Sequence, residues 1–356
     1  MLATEYRLAA PGGEYEPREL RLWPMSAARA SEIRNDALQR AGVYVTRPSK
    51  PVLDLATLEP PITCRFLARY PSGTSAKFDC VLEGGDIVKV KYGRNPEIAA
   101  EVAATRLLAA LGYAADRMSV ARTVRCHGCP RYPFFAMRLL QLTGTYSLYP
   151  TYGDDDGYSE FTWAAIERKF DAAPIETPDA EGWAWWELPT GDAAGSAAAA
   201  DIDTLRLVAV FLAHWDNKAE NQRLVCLDPP GDTDAPCARP LLMLQDLGAT
   251  FGPAKANLAR WSTAPVWADR ATCTVSMKAM PFQGGTFPDS RISETARARL
   301  AEQLASLSDA DITGLFTAAR FPEHYSGTDD ERDLAAWRAA FKGRVEQIRQ
   351  AGPCPP

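Results

Sequence analysis

The sequence predicts an α+β fold of two lobes, in which a small antiparallel β-sheet lobe with one helix precedes a mainly helical lobe. Short apolar runs separated by turn residues dominate residues 61–142, whereas helical periodicity dominates beyond residue 200. The 356 residues, 46% apolar and 24% charged, suffice for one large domain or two packed lobes. We therefore place an N-terminal extension at 1–60, the first lobe at 61–142 and the second lobe at 143–356.

The first lobe is predicted to begin with a β-meander. The proline-rich extension before it contains one helical stretch, Ala27 to Ala41, and we assign it no chemistry. Two turn signals, Gly73-Thr74-Ser75 and Gly84-Gly85, then separate three strand-length segments. These segments are Phe66-Leu67, Phe78 to Leu82 and Ile87 to Tyr92.

One helix and two further strands are predicted to complete this lobe. Pro96 favours a helix start, and Gly112 ends the helical pattern. Met118 to Arg125 and Phe134 to Leu140 have the length and composition of strands, joined by a turn that contains two cysteines.

The second lobe is predicted to open with an insertion at 144–200, because this region is acidic, rich in tryptophan and poorly periodic. Asp154 to Asp156 read as a solvated loop, with metal binding as the alternative. Trp183, Trp185 and Trp186 indicate core packing or an aromatic platform. Four helical segments follow, at Asp203 to Ala213, Glu294 to Leu307, Asp309 to Ala319 and Asp330 to Gln350.

Charge and hydropathy narrow the partners. The formal net charge of -6 argues against nucleic acid and against anionic membrane surfaces, which attract clustered Lys and Arg. No apolar run has the length of a membrane helix, and the first residues contain no hydrophobic signal core, so we expect a soluble chain without membrane insertion. The compartment stays open between the cytoplasm and an extracytoplasmic location reached by way of a removed signal peptide.

The eight cysteines leave three alternatives open. Cys126 and Cys129 form a CxxC, Cys226 and Cys237 flank a loop rich in Pro, Gly and Asp, and Cys354 lies near the C-terminus. Disulfides or unpaired thiols are the first readings. Structural zinc at the CxxC is the third, although the sequence offers no matching second pair of ligands.

The strongest chemical signal is the segment His214-Trp215-Asp216-Asn217-Lys218-Ala219-Glu220-Asn221, which follows a buried helix pattern and precedes a strand pattern. It resembles the catalytic loop of protein kinases, HRDxKxxN. The resemblance implies that Asp216 accepts the proton of an acceptor hydroxyl, that Lys218 steadies the transferred phosphoryl group and that Asn221 binds a metal. Trp215 replaces the kinase arginine, which argues against control by a phosphorylated activation loop.

A second motif lies about twenty-five residues further on. Leu244-Gln245-Asp246-Leu247-Gly248 resembles the kinase DFG element with Leu in place of Phe. The resemblance implies that Asp246 bridges Mg²⁺ or Mn²⁺ to the nucleotide phosphates, with Gly248 permitting the turn that directs it.

The nucleotide-binding half is expected on the third strand and the helix after it. Lys89 and Lys91 face the same side, because strand side chains repeat every two residues, and one of them should hold the phosphates. Glu101 is the expected ion-pair partner. The order and spacing of these residues with Gly73 to Lys77 and Leu82 to Gly85 distantly resemble the secretory-pathway kinases, the Golgi casein kinase and glycosaminoglycan xylosylkinase family.

That resemblance favours Lys91 over Lys89 and implies that Lys77 also reaches the phosphates, since these atypical kinases lack a full GxGxxG loop. Taken singly, the lysines could be the solvated face of an edge strand, and Glu101 could be an exposed helix charge. Together with the two aspartate motifs, these residues predict an ATP-dependent phosphotransferase that acts on a hydroxyl of protein Ser/Thr or of a glycan. The kinase resemblance implies that ATP binds near Leu139 and Leu140. A nucleotide-binding pseudokinase and an enzyme that transfers AMP on the same fold are the alternatives.

Overall fold

The computed structural model describes residues 27–143, 157–177, 180–188, 197–229, 235–278, 285–324 and 332–355. It has an α+β architecture, with a β-barrel in its N-terminal part and mostly helices in its C-terminal part. The chain divides into two compact units. The described residues within 56–98 and 116–169 form the first unit, and those within 27–55, 99–115 and 170–355 form the second. Asp154 to Asp156 lie outside the described residues.

The sheet of the first unit has the strand order β1-β5-β2-β3-β4-β6. Its strands are β1 (Thr57–Leu58), β2 (Ile62–Leu67), β3 (Lys77–Leu82), β4 (Ile87–Lys91), β5 (Arg117–His127) and β6 (Tyr158–Arg168). Strand β5 also pairs with β6, so five strands close into a β-barrel. The barrel is mixed and not antiparallel as predicted, because β5 runs parallel to both β1 and β2.

The predicted meander and the strand at Met118 to Arg125 are confirmed, but two assignments were wrong. Phe134 to Leu140 is a helix, α3 (Pro133–Thr143), which buries Phe134, Met137 and Leu140 on one face and leaves Leu139 half exposed. Pro133 in its first turn is the same start signal that correctly placed the helix at Pro96. The fifth barrel strand is β6 instead, so 158–168 belong to the barrel and not to an insertion.

The helices predicted from the sequence are present as α1 (Ala27–Arg40), α2 (Pro96–Ala110), α4 (Ala197–Leu212), α6 (Glu294–Ala305), α7 (Asp309–Ala318) and α9 (Leu334–Arg349). Two short helices that were not predicted, α5 (Leu258–Thr263) and α8 (Phe321–His324), lie between them. A three-stranded sheet, β7 (Ala173–Pro174), β8 (Gln222–Cys226) and β9 (Pro240–Leu244), and the short pair β10 (Thr274–Val275) and β11 (Ser290–Arg291) complete the second unit.

The helical core of the second unit is aromatic and is organised around Arg344. Phe251, Trp261, Phe316 and Trp337 are fully buried and meet mostly edge to face. The guanidinium of Arg344 is buried among them and donates to the backbone oxygens at the ends of α4 and α5. Burial lowers the pKa of Arg344 to about 9. These bonds join α9 to the C-terminal ends of α4 and α5.

All eight cysteines are paired in four disulfides: Cys64–Cys80, Cys126–Cys129, Cys226–Cys237 and Cys273–Cys354. Disulfides of this number are typical of proteins in oxidising compartments. None of the helices in the described ranges combines the length and the apolar character needed to cross a membrane.

Candidate active site

The end of α4 directs the chain into the motif around Asp216. Ala213 has a left-handed φ of 54°, and the amides of Ala213 and His214 bond back to the carbonyls of Val210 and Ala209 at 2.9 Å. This is the Schellman pattern of a helix end, with alanine at the position that glycine usually occupies. A left-handed alanine costs roughly 1 to 2 kcal/mol. This strain lies at the point where α4 ends and the motif begins.

In the first half of the motif, His214 and Asn217 have structural roles. His214 is fully buried with neither ring nitrogen in a hydrogen bond, and burial, opposed by the charge and backbone of Asp246, lowers its pKa to about 4. It is therefore neutral at physiological pH. The Nδ2 of Asn217 donates to the carbonyls of His214 and Trp215, and its Oδ1 accepts from the amides of Thr286 and Phe287. Asn217 thus fastens the motif to the 286–287 segment.

Asp216 and Asn221 are held against each other. The Nδ2 of Asn221 donates to the backbone oxygen of Asp216 at 2.7 Å. The Oδ1 of Asp216 makes no hydrogen bond although it is buried, and the Nζ of Lys218 lies 4.0 Å from it. Burial raises the pKa of Asp216, and the charge of Lys218 opposes this. A carboxylate with a raised pKa and an unused buried oxygen is typical of a general base.

Asp246 lies at the same end of the β8–β9 hairpin as Asn221. Gln222 on β8 is paired with Leu244 on β9, and the amide of Gln245 donates to the carbonyl of Asn221 at 2.9 Å. Asp246 follows with a left-handed φ of 50° and an exposed side chain. The prediction that Gly248 provides the unusual turn was wrong, since Gly248 has no positive φ and Asp246 adopts the left-handed conformation itself.

This end of the hairpin offers the ligands that Mg²⁺ or Mn²⁺ prefers. Asp246 supplies an exposed carboxylate. Because the amide nitrogen of Asn221 is occupied by Asp216, its oxygen is the atom that could bind a metal. Oxygen donors of this kind suit a hard divalent cation. The strain at Asp246 is itself typical of functional positions, where backbone geometry is often sacrificed to direct a side chain.

In the first unit, Lys91 is buried and pairs with a residue that the sequence did not indicate. Its Nζ lies 2.9 Å from a carboxylate oxygen of Glu167 on β6. Lys89 lies 3.5 Å from the other oxygen of the same carboxylate, and Lys169 also bonds to that oxygen. Lys169 further contacts Asp116 at 3.0 Å. Lys89 and Lys91 therefore serve one buried carboxylate and are not the solvated face of an edge strand.

The three lysines decide the charge state of Glu167. Burial alone would raise the pKa of this carboxyl, but the charges of Lys91, Lys169 and Lys89 outweigh burial and hold it well below its usual range. Glu167 is ionised at neutral pH. Its placement follows from the pairing of β4 with β6, where Lys89 and Glu167 are register partners.

The side chain of Lys77 reaches the first β-turn, Gly73-Thr74-Ser75. It is the register partner of Lys91 on β3, and its Nζ is 3.3 Å from the position that a Cβ on Gly73 would occupy. Gly73 has a left-handed φ of 69°, and its carbonyl accepts from Arg138 on α3. The same turn is joined to the start of α2, where Ser75 bonds to Asn95 and Glu97. The turn next to Lys77 is thus well fixed.

Within each unit, predicted residues converge. Asp216, Lys218, Asn221 and Asp246 lie together in the second unit, and Lys77, Lys89 and Lys91 lie on paired strands of the first. Glu101 is a buried residue of α2 and belongs to the second unit. Its pairing with Lys91 stays a prediction. Sequence reasoning missed Glu167, although the aromatic and β-branched residues of 158–168 are a signal that would have placed this residue on a strand.

Replacing Glu167 with glutamine is expected to destabilise the first unit by roughly 3 to 5 kcal/mol at neutral pH, because three ammonium groups lose a buried counter-charge. Urea unfolding measures this. The matched control is Glu160→Gln on the same strand, whose pair with Arg125 is about two-fifths exposed and contributes about 0 to 1 kcal/mol.

The effect should depend on pH in a defined direction. The folded-state pKa of Glu167 is depressed, so its stabilisation is complete above the ordinary value of 4.5 and disappears as the pH falls below it. The stability gap between the wild type and Glu167→Gln should therefore narrow in acid. A loss no larger than that of Glu160→Gln would contradict the buried pairing.

The chain matches no family model, no curated protein and no solved structure.

Proposed function

We propose that the protein is a metal-dependent phosphotransferase with a protein-kinase-like fold, which transfers the γ-phosphoryl group of ATP to a hydroxyl of a protein or a glycan. The observation that carries this proposal is the convergence of Asp216, Asn221 and a backbone-strained Asp246 at one end of the β8–β9 hairpin. Phosphoryl transfer requires a base for the acceptor and a metal beside the phosphates, and these residues have the chemistry for both.

Each residue then has a defined role. The acceptor hydroxyl gives its proton to Asp216, the hydroxyl oxygen attacks the γ-phosphorus of ATP, and ADP leaves. Asn221 and Asp246 would hold Mg²⁺ or Mn²⁺, which neutralises charge on the phosphate oxygens. Lys218 steadies the transferred group. In the first unit, Lys91 would hold the phosphates, with Lys89 as the alternative and Lys77 as a further contact from the first turn.

The state of Asp216 supports catalysis over a pseudokinase. A binding module has no need of a buried carboxylate oxygen without a hydrogen bond, since such a group costs stability unless it is used. Its raised pKa brings the carboxyl closer to the working pH of a general base.

The test is intact-mass analysis of the purified chain after incubation with ATP and Mg²⁺ or Mn²⁺, with casein and a xylose-containing glycan as added acceptors. We expect a metal-dependent gain of one or more phosphoryl groups on the chain or on an acceptor. Addition of AMP would be recognised by its larger mass and would replace this proposal with adenylyl transfer. Thermal stabilisation by ATP without any covalent product would favour the pseudokinase and contradict the proposal.

A further inference from the structure

Four cysteines converge inside the barrel of the first unit. Cys64 lies on β2, Cys80 on β3 and Cys126 near the end of β5, and Cys129 follows that strand. All four are fully buried, and together they form two of the disulfides. The Sγ atoms of Cys80 and Cys126 are 3.6 Å apart, so the two disulfides touch. We call these four residues the cysteine cluster.

With its two bonded pairs reduced, the cluster would have nearly the dimensions of a tetrahedral metal site, because the Sγ atoms of Cys80 and Cys126 are already 3.6 Å apart. Zinc–thiolate bonds of about 2.3 Å in tetrahedral geometry place neighbouring sulfurs about 3.8 Å apart. The sulfurs of Cys64, Cys80 and Cys126 all lie within 4.8 Å of one another. Cys129 belongs to the same CxxC turn as Cys126, and Gly128 between them has the left-handed φ of 69° that lets this turn fold back tightly.

The fold supplies the second pair of ligands that the sequence did not reveal. Cys64 and Cys126 are register partners on parallel strands, and Cys80 faces the same barrel interior from β3. A CxxC loop together with one cysteine from each of two adjacent strands makes a complete set of four sulfur ligands. Four sulfur ligands of this kind are the usual set of a structural zinc site.

Cross-linking alone explains the cluster poorly. Cys126 and Cys129 are only three residues apart, and a disulfide stabilises less when it closes a shorter loop. The Cys273–Cys354 bridge, by comparison, spans 81 residues. Redox catalysis is also a poor explanation, because a catalytic CxxC must expose its attacking sulfur, whereas Cys126 and Cys129 are completely buried.

We propose that the cysteine cluster is a zinc site, in which Cys64, Cys80, Cys126 and Cys129 bind one Zn²⁺ when the chain folds under reducing conditions. The four thiols lose four protons to give four thiolate ligands, and no electron is transferred. Whether the four cysteines bind zinc or form disulfides is decided during folding, before the barrel closes. Once the barrel has closed, the sulfurs are buried and external thiols cannot reach them. In either form β2, β3 and the end of β5 are tied together inside the barrel.

The test compares full-length protein folded in a reducing cytoplasm with protein folded under oxidising conditions. We expect about one zinc ion per reduced chain by elemental analysis, and none in the oxidised chain. Co²⁺ in place of Zn²⁺ should give the visible and charge-transfer bands of a tetrahedral four-thiolate site. A chelator should lower the melting temperature of the reduced chain and leave that of the oxidised chain unchanged.

Two variants separate the cluster from the other cysteines. Cys226→Ser with Cys237→Ser removes a pair outside the barrel and should retain the zinc, whereas Cys64→Ser should lose it or weaken its binding at least tenfold. If Cys64→Ser does not fold, the Co²⁺ spectrum of the reduced wild type still counts the thiolates. Zinc absent from the folded reduced chain, or equal zinc content in both variants, would overturn the proposal. So would a reduced chain that stays unfolded with added Zn²⁺.

Discussion

Replacing Asp246 with asparagine is expected to reduce metal-dependent ATP turnover by about three orders of magnitude. In the proposed mechanism the carboxylate would supply the negative charge that binds the divalent cation, and an amide of the same shape would not. Asparagine is the appropriate substitution because it tolerates a left-handed backbone, and Asp246 has a φ of 50°. Alanine would add backbone strain and would confuse loss of the metal with local misfolding. Turnover is measured over a range of Mg²⁺ and Mn²⁺ concentrations.

The control for this experiment is Asp228→Asn. Asp228 is an exposed acidic residue just beyond β8, where it pairs with Arg239, so its loss should leave turnover unchanged. Asp246→Asn should unfold at the same urea concentration as the wild type, which would show that the loss is chemical. Wild-type turnover in Asp246→Asn at subsaturating metal would contradict the proposed metal site.

The parts of the fold that sequence predicted were those whose pattern is local. The spacing of apolar residues after Pro96 and the turn glycines between β2, β3 and β4 specify these elements without reference to the rest of the chain. The motif around Asp216 could be placed for the same reason, because helix, loop and strand signals follow one another directly.

The parts that sequence missed depend on long-range pairing or on competing signals. The apolar run at Phe134 to Leu140 suits a strand or a helix, and only burial of every third residue decides for the helix. Strand β6 was hidden within an acidic, tryptophan-containing region. Glu167 becomes the partner of Lys91 only through the pairing of β4 with β6, and nothing local indicates that pairing.

Left-handed residues lie beside both motifs of the second unit, and a backbone hydrogen bond connects the segments that contain them. Ala213 and Asp246 both adopt left-handed conformations, one where α4 ends and one after β9. The amide of Phe251, itself left-handed, bonds to the carbonyl of Leu212 at 2.7 Å, which joins the segment after Asp246 to the end of α4. The strained positions are therefore connected through the backbone. A packed aromatic core beside them can sustain a cost that an isolated loop could not.

Replacing Asp216 with asparagine is expected to lower turnover by roughly 100-fold to 10,000-fold, the usual contribution of a general base. The wild type should also lose activity as the pH falls through the pKa of Asp216, at a higher pH than for an ordinary aspartate, because burial raises that pKa. Measurement of kcat/KM against pH checks this acid limb. Lys218→Gln should move the acid limb to still higher pH, because the charge of Lys218 lowers the pKa of Asp216. If the substrate alone set the limb, its position on the pH scale would stay unchanged in this variant.

Asp216→Asn should raise the stability of the fold while it lowers activity. A carboxyl whose folded-state pKa is raised stabilises the fold fully only below its unfolded value of about 3.9, and this stabilisation disappears as the pH rises through the folded value. At neutral pH the wild type therefore retains an ionised, partly desolvated group that Asp216→Asn removes. We expect Asp216→Asn to be more stable than the wild type at pH 7, with the difference vanishing in acid, as urea unfolding at both pH values would measure. If Asp216→Asn is both inactive and less stable than the wild type at pH 7, Asp216 has a structural role. A gain in stability together with a loss of turnover would instead show that Asp216 is retained for catalysis.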